Sequence, residues 1–270
     1  MKKYLITAAL LLTACGEQHR TTESLCQANP EVCANLNNGD GQCRIQRTNL
    51  IWQRYDVKND PTEQNVFKAL KFTKEYQRCL ELVAPIEPTE LKERKTLRTD
   101  ALIESYKEIE RLMLMLSDST DPEIIYYRWS HGDESAKQSF LALEGTPQLD
   151  TPALQLALAS YYASFDKKRT QRILQRGLEL VEGEENFEPD LIITLATMSH
   201  QLKQRYAAYT WSKVAQHFEL PVANQARLEQ LYPMPEEQYK YLNDVAKRIA
   251  KDLKRGHYRR SNYVLSPPTS

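Results

Sequence analysis

Apolar residues recur along most of this chain every three to four positions, the spacing of one face of an α-helix. Pro61-Thr62-Glu63 opens one such stretch. Ala69, Phe72, Tyr76, Leu80 and Val83 share its inner face, and Pro85 and Pro88 close it. A second helix is predicted over 89–116, where Leu102, Tyr106, Ile109, Met113 and Leu116 form the buried stripe and Lys92-Glu93-Arg94-Lys95 a solvated charge run. Near the end, Tyr239, Leu242, Ala246, Ile249 and Leu253 mark a long helix after a short one, within 221–258. Residues 25–60 are less periodic. Asn29-Pro30-Glu31 starts a short helix carrying Cys33, and Asn38-Gly39-Asp40-Gly41 is a turn with Asp40 as a turn residue. Ile45, Leu50, Ile51 and Trp52 then require burial. Glycine is rare, 8 in 270, too few for the tight turns of a β-rich fold, so the expectation is an all-α protein.

Residues 121–220 contain a weak repeat. Pro122, Pro152 and Pro189 each open a helical pattern, and a second helix follows each. The second helices share i, i+4, i+7 packing positions: Ala136, Phe140 and Leu143; Thr170, Leu174 and Gly177; Ala207, Trp211 and Val214. The second and third units align over a 37-residue step, with Leu154, Ala157, Leu158 and Tyr161 matching Leu191, Thr194, Leu195 and Met198. This pattern resembles the tetratricopeptide repeat (TPR), with Thr170 and Gly177 where that repeat usually has Ala and a shortened turn at His131-Gly132-Asp133. The resemblance implies a TPR-like helical-hairpin solenoid, which the helices of 221–258 would cap.

The first residues have a different character. Met1-Lys2-Lys3 is basic, Tyr4 to Leu12 is a short apolar run, and Leu12-Thr13-Ala14-Cys15 ends it. The run is shorter than the ~20 residues a spanning helix needs. The arrangement looks like the lipoprotein signals of Gram-negative bacteria. That likeness implies cleavage after residue 14, acylation of Cys15 on sulfur and nitrogen, and, with Gly16 next, an outer-membrane anchor facing the periplasm. The expected organisation is a signal at 1–14, the lipidated Cys15 and a flexible tether to residue 24, and a disulfide-containing helical region at 25–120. Repeats follow at 121–220, capping helices at 221–258 and a disordered tail at 259–270.

With Cys15 lipidated, Cys26, Cys33, Cys43 and Cys79 remain, an even set in an oxidising compartment. Two disulfides are expected, with all three pairings open. The gaps are wide and no His lies near, so no metal site is expected. Lys and Arg equal Asp and Glu at 36 each, and nothing in that balance points to nucleic acid.

A search for chemistry finds no phosphate loop, HExxH or GxSxG. Ser130-His131-Gly132-Asp133 could offer a base beside a carboxylate, but a helix-to-helix turn needs no catalytic reason for it. The expectation is therefore a non-enzyme without cofactor, binding an envelope protein or peptide. Tyr126, Tyr127, Tyr161 and Tyr162 are the candidate groove residues. Lys247, Arg248, Lys251, Lys254 and Arg255 are candidate contacts to an anionic surface. The alternatives are a hydrolase or transferase acting on peptidoglycan or lipid around His131 and Asp133, and a purely structural lipoprotein.

Several runs carry a whole-chain resemblance. They are the lipobox at Cys15, Cys33-Ala34-Asn35-Leu36-Asn37, Asp40-Gly41-Gln42-Cys43-Arg44-Ile45, Arg47-Thr48-Asn49-Leu50-Ile51-Trp52, Glu93-Arg94-Lys95-Thr96-Leu97-Arg98-Thr99, His131-Gly132-Asp133 and Leu149-Asp150-Thr151-Pro152. The chain resembles an uncharacterised family of Gram-negative lipoproteins known only as a domain of unknown function. That resemblance implies an envelope lipoprotein and brings no catalytic residues.

Overall fold

The computed structural model describes residues 21–89 and 91–267. The signal segment, Cys15, most of the tether and residues 268–270 lie outside the described residues. Among those described there are twelve α-helices, short 3-10 turns and no strand. Contacts divide the chain into two units, Met1–Ser119 and Thr120–Ser270.

In the first unit, α1 (Thr22–Ala28) begins inside the segment expected to be tether. The cause is a reciprocal cap: the Ser24 N–H donates to the Thr21 hydroxyl, and the Thr21 N–H to the Ser24 hydroxyl. A 3-10 turn at Pro30–Cys33 follows. Residues 44–59, whose spacing names no element, form α2 (Arg44–Asn59). Leu50 and Ile51 are buried there, but Ile45 is 68% exposed, contrary to expectation. Five residues of helix place it about 140° around the axis from Leu50.

Helices α3 (Glu63–Val83) and α4 (Glu93–Met115) pack together, and α2 packs on α3. The α4 stripe differs from the expected one. Arg98, Ala101, Ser105, Ile109, Leu112 and Leu116 are buried, while Tyr106 is about half exposed. Small Ala101 and Ser105 suit a close approach to α3, and Tyr106 instead donates its hydroxyl to Glu81 on that helix. Arg98 fixes the register. Its Nε donates to Asp40 Oδ2 at 2.7 Å, and its Nη1 to the Val83 and Ile86 carbonyls. Asp40 is thus a buried ion-pair partner as well as a turn residue.

In the second unit each proline of the repeat sits in the first turn of a helix: α5 (Pro122–Ser130), α7 (Pro152–Tyr162) and α9 (Pro189–Gln201). Their partners are α6 (Glu134–Ala142), α8 (Lys167–Glu179) and α10 (Arg205–His217). The pairs α5–α6, α7–α8 and α9–α10 pack as hairpins, α8 packs on α9, and the first helices touch in succession, α5 on α7 and α7 on α9. Asp133, Thr151 and Asp166 cap α6, α7 and α8 with their side chains. Gly177 is small for a packing reason: a Cβ there would lie 2.8 Å from Leu191 Cδ2 and 3.2 Å from Gln155 Cβ.

A short α11 (Gln225–Leu231) leads to α12 (Glu236–Lys254), which packs on α10 and buries all five residues of its expected stripe. Of the tail expected to be disordered, 259–270, the described residues 259–267 are ordered, with a 3-10 turn at Arg260–Asn262. Gly256 turns the chain at φ +68°, and Tyr258 is buried against Trp211. The Tyr258 hydroxyl donates to Gln175 at 2.6 Å, and Tyr263 stacks on the Tyr258 ring. The tail therefore returns to α8 because it carries aromatic residues that need burial.

Candidate functional site

The lipidation candidate, Cys15, lies outside the described residues. The other four cysteines are paired as Cys26–Cys33 and Cys43–Cys79, with Cα separations of 5.7 and 5.8 Å. The second bond joins the residue before α2 to α3.

The four candidate groove tyrosines do not share one open face. Tyr126 packs on Trp129 and Phe140, and Trp129 meets the edge of Tyr161. Tyr162 is buried, with its hydroxyl donating to Glu144 at 2.7 Å and Arg169 4.0 Å above its ring. Burial, then the bond to Glu144, pushes its pKa up to about 12. These three tyrosines are joints between neighbouring helices, and for Tyr162 a solvent-facing groove role is ruled out by its burial. Tyr127 stands apart, stacked on His131 at 4.1 Å.

The Ser130–Asp133 cluster is committed to structure. Asp133 Oδ1 accepts from the Ser135 and Ala136 N–H groups and the Ser135 hydroxyl, and its Oδ2 from Arg128. The Ser135 hydroxyl, the Ala136 N–H and Arg128 hold this carboxyl well below the usual carboxylate range. His131 Nδ1 contacts the Tyr127 carbonyl at 2.8 Å and the Ser130 hydroxyl at 3.1 Å. No hydrogen bond joins His131 to Asp133.

Lys247, Arg248, Lys251 and Lys254 are exposed on the side of α12 away from its buried stripe, and Arg255, which follows the helix, is exposed too. Lys254 lies 5.2 Å over the Phe218 ring. His217 on α10 is held below the usual imidazole range, first by burial and then by Lys213, Lys254 and Lys247.

Sequence reasoning missed a cleft of about 850 Å³ between α8, the α9–α10 turn and the returning tail. Lys168 and Arg172 enter it from α8, Lys203 from the turn, Arg205 from the start of α10, and Arg260 from the tail. No carboxylate among the described residues lines it. Among the described residues none of these five cations makes an ion pair. Tyr206, Trp211, Tyr258 and Tyr263 supply aromatic wall. Gln171 donates to the Ser199 hydroxyl and to Gln204 Oε1, ordering the polar rim. The first turn of α10, residues 205–207, also faces the cleft, and its N-cap Gln204 makes no side-chain capping bond. A trace of this was present in the sequence: Lys168 and Arg205 are one 37-residue step apart.

No group of His, Cys, Asp and Glu among the described residues could hold a metal ion. No described helix is long and apolar enough to cross a membrane. A family model described as "Protein of unknown function (DUF2989)" matches residues 12–213. No curated protein matches the chain, and no solved structure does.

Proposed function

The chain belongs to the DUF2989 family, and on that footing we propose that it is an outer-membrane lipoprotein facing the periplasm that binds an envelope protein or peptide without catalysing a reaction. The observation that carries this reading is the α8–α10 cleft: a large solvent-open concavity whose cations pair with no carboxylate among the described residues, with Arg205 resting on Tyr206. By contrast, Asp133 is spent on a cap and an ion pair. Succession of α5, α7 and α9 contacts supports a TPR-like solenoid, an architecture suited to holding an extended partner. The lipobox at Cys15 supports the anchor. Helix α1 starts at Thr22, seven residues later, so at most about 25 Å of chain would separate lipid from fold. Two disulfides suit an oxidising compartment.

The test is photo-crosslinking in living cells, with the reactive residue placed at Gln204 in the cleft or at exposed Gln138 on α6. A defined adduct at Gln204 and none at Gln138 is the expected result. Equal adducts at both, or none at either, would contradict the reading. A second reading, contact of α12 with anionic lipid head groups, is favoured by its exposed basic face. Unchanged binding to anionic vesicles after Lys251→Glu with Arg255→Glu would remove it.

A further inference from the structure

We propose that the α8–α10 cleft takes an acidic peptide in extended conformation. This rests on reading the cleft as the binding surface and goes further by naming the chemistry of what it holds. The chain as a whole is neutral, with 36 basic and 36 acidic residues, so five cations around one cleft without a lining carboxylate are a local concentration of charge. Three partly buried arginines elsewhere are neutralised by carboxylates, Arg98 by Asp40, Arg128 by Asp133 and Arg54 by Glu108, whereas the five cleft cations are exposed. The cleft cations have no such partners, so an anionic ligand would gain attraction without first displacing a protein carboxylate.

The spread of the charges distinguishes a chain from a single anion. Lys168 lies in the first turn of α8, and the Arg260 N–H donates to Glu179 at the last residue of that helix. Eleven residues of α-helix span roughly 16 Å. About five residues of extended peptide match that backbone spacing, whereas a single phosphate would need the long Lys168 and Arg260 side chains to converge on it. The neutral lining suits a peptide backbone. Tyr258 engages Gln175 through its Oε1, and Gln171 engages Gln204 through its Oε1. The Nε2 donors of Gln175 and Gln204 are left for backbone carbonyls. The uncapped first turn of α10 adds partial positive charge on the same side.

The experiment uses the full lipidated chain in neutral detergent and an N-acetylated pentaglutamate carrying an uncharged dye, read by fluorescence polarisation. Saturable binding is expected, weakened at least tenfold by Arg172→Glu with Arg205→Glu and by raising salt from 0.1 to 0.5 M. Pentaglutamine should not bind, and Lys251→Glu with Arg255→Glu on α12 should leave binding unchanged. Arg172→Gln with Lys203→Gln gives a milder pair, and an unchanged melting temperature confirms that both cleft variants are folded. Equal binding of pentaglutamine, loss of binding in the α12 variant alone, or no binding would each overturn the proposal. Displacement by equimolar inorganic phosphate or by phosphatidylglycerol vesicles would also overturn it, in favour of a phosphate group or a lipid surface. Failure here with the Gln204 crosslink intact would remove the acidic class while leaving the cleft a binding surface. Loss of the crosslink as well would remove both.

Discussion

Removing the two disulfides separately should have unequal effects that follow from loop length. Cys43–Cys79 closes a span of 36 residues and Cys26–Cys33 one of 7. Loop-closure entropy in the unfolded chain, taken as 2.1 + 1.5R ln n per kelvin, gives about 3.8 kcal/mol for the long span and about 2.4 for the short one. The difference, about 1.4 kcal/mol, is a factor of ten in the unfolding constant. Packing losses should largely cancel, because each bond has one buried member, Cys33 or Cys43, and one half-buried member, Cys26 or Cys79. The comparison is therefore between Cys43→Ala with Cys79→Ala and Cys26→Ala with Cys33→Ala, in urea, following far-ultraviolet circular dichroism. At a slope of ~1–3 kcal/mol per molar, the long-loop variant should unfold about 0.5–1.4 M earlier than the short-loop variant. Equal midpoints, or an earlier midpoint for the short-loop variant, would refute the entropic reasoning and assign the stabilisation to local packing.

Arg98→Ala leaves Asp40 buried without its ion-pair partner and should cost roughly 3–5 kcal/mol, with the Arg98→Ala, Asp40→Ala double variant costing less than the sum; chemical denaturation of the four species checks this. Burial opposes ionisation of Asp40, but the Gln42 N–H, Asn37 and Arg98 outweigh it and hold the folded pKa below the ordinary value. Its contribution is therefore complete above the unfolded pKa of about 3.9 and lost as pH falls from there through the folded value, so wild type should lose more stability than Asp40→Asn on acidification across that window. Gly256→Ala forces φ +68° on an L-residue and puts a Cβ 2.2 Å from the Glu182 carbonyl oxygen, so it should cost more than about 1 kcal/mol and speed hydrogen exchange in 256–263. Because the Tyr162 pKa rises to about 12, ultraviolet titration should show one fewer tyrosine ionising between pH 9.5 and 11 in wild type relative to the unfolded chain than in Tyr162→Phe; an identical difference in both would contradict the Glu144 bond.

The parts of this architecture legible in the sequence are those that depend on neighbours in sequence. Pro122, Pro152 and Pro189 announce helix starts because their fixed φ and missing N–H suit the first turn. The α12 stripe reads directly because one side of that helix is buried along its length. The α4 stripe misled, since Tyr106 looks like a core residue by type, and the register is set instead by Arg98 reaching an aspartate 58 positions earlier. The tail misled because Ser266 and the prolines that follow suggest an unstructured end, while Tyr258 and Tyr263 decide its path by packing against a helix some 80 residues away. The burial of Tyr162 was not legible for a related reason: sequence gives an amphipathic residue but not which side of it faces a neighbouring hairpin. The cleft cations come from three separate segments, and only the 37-residue step between Lys168 and Arg205 hinted that two of them fall together.

The central claim is a binding surface held at a membrane by lipid, and the most direct test is how partner engagement depends on that tether. The Gln204 photo-crosslink should be compared between the lipidated chain and a Cys15→Ala form exported by an ordinary cleavable signal, at matched abundance. Anchoring raises the effective concentration of a membrane-associated partner, so the account predicts one defined adduct in the lipidated form and a yield at least tenfold lower without lipid. Equal yields in the two forms would contradict it.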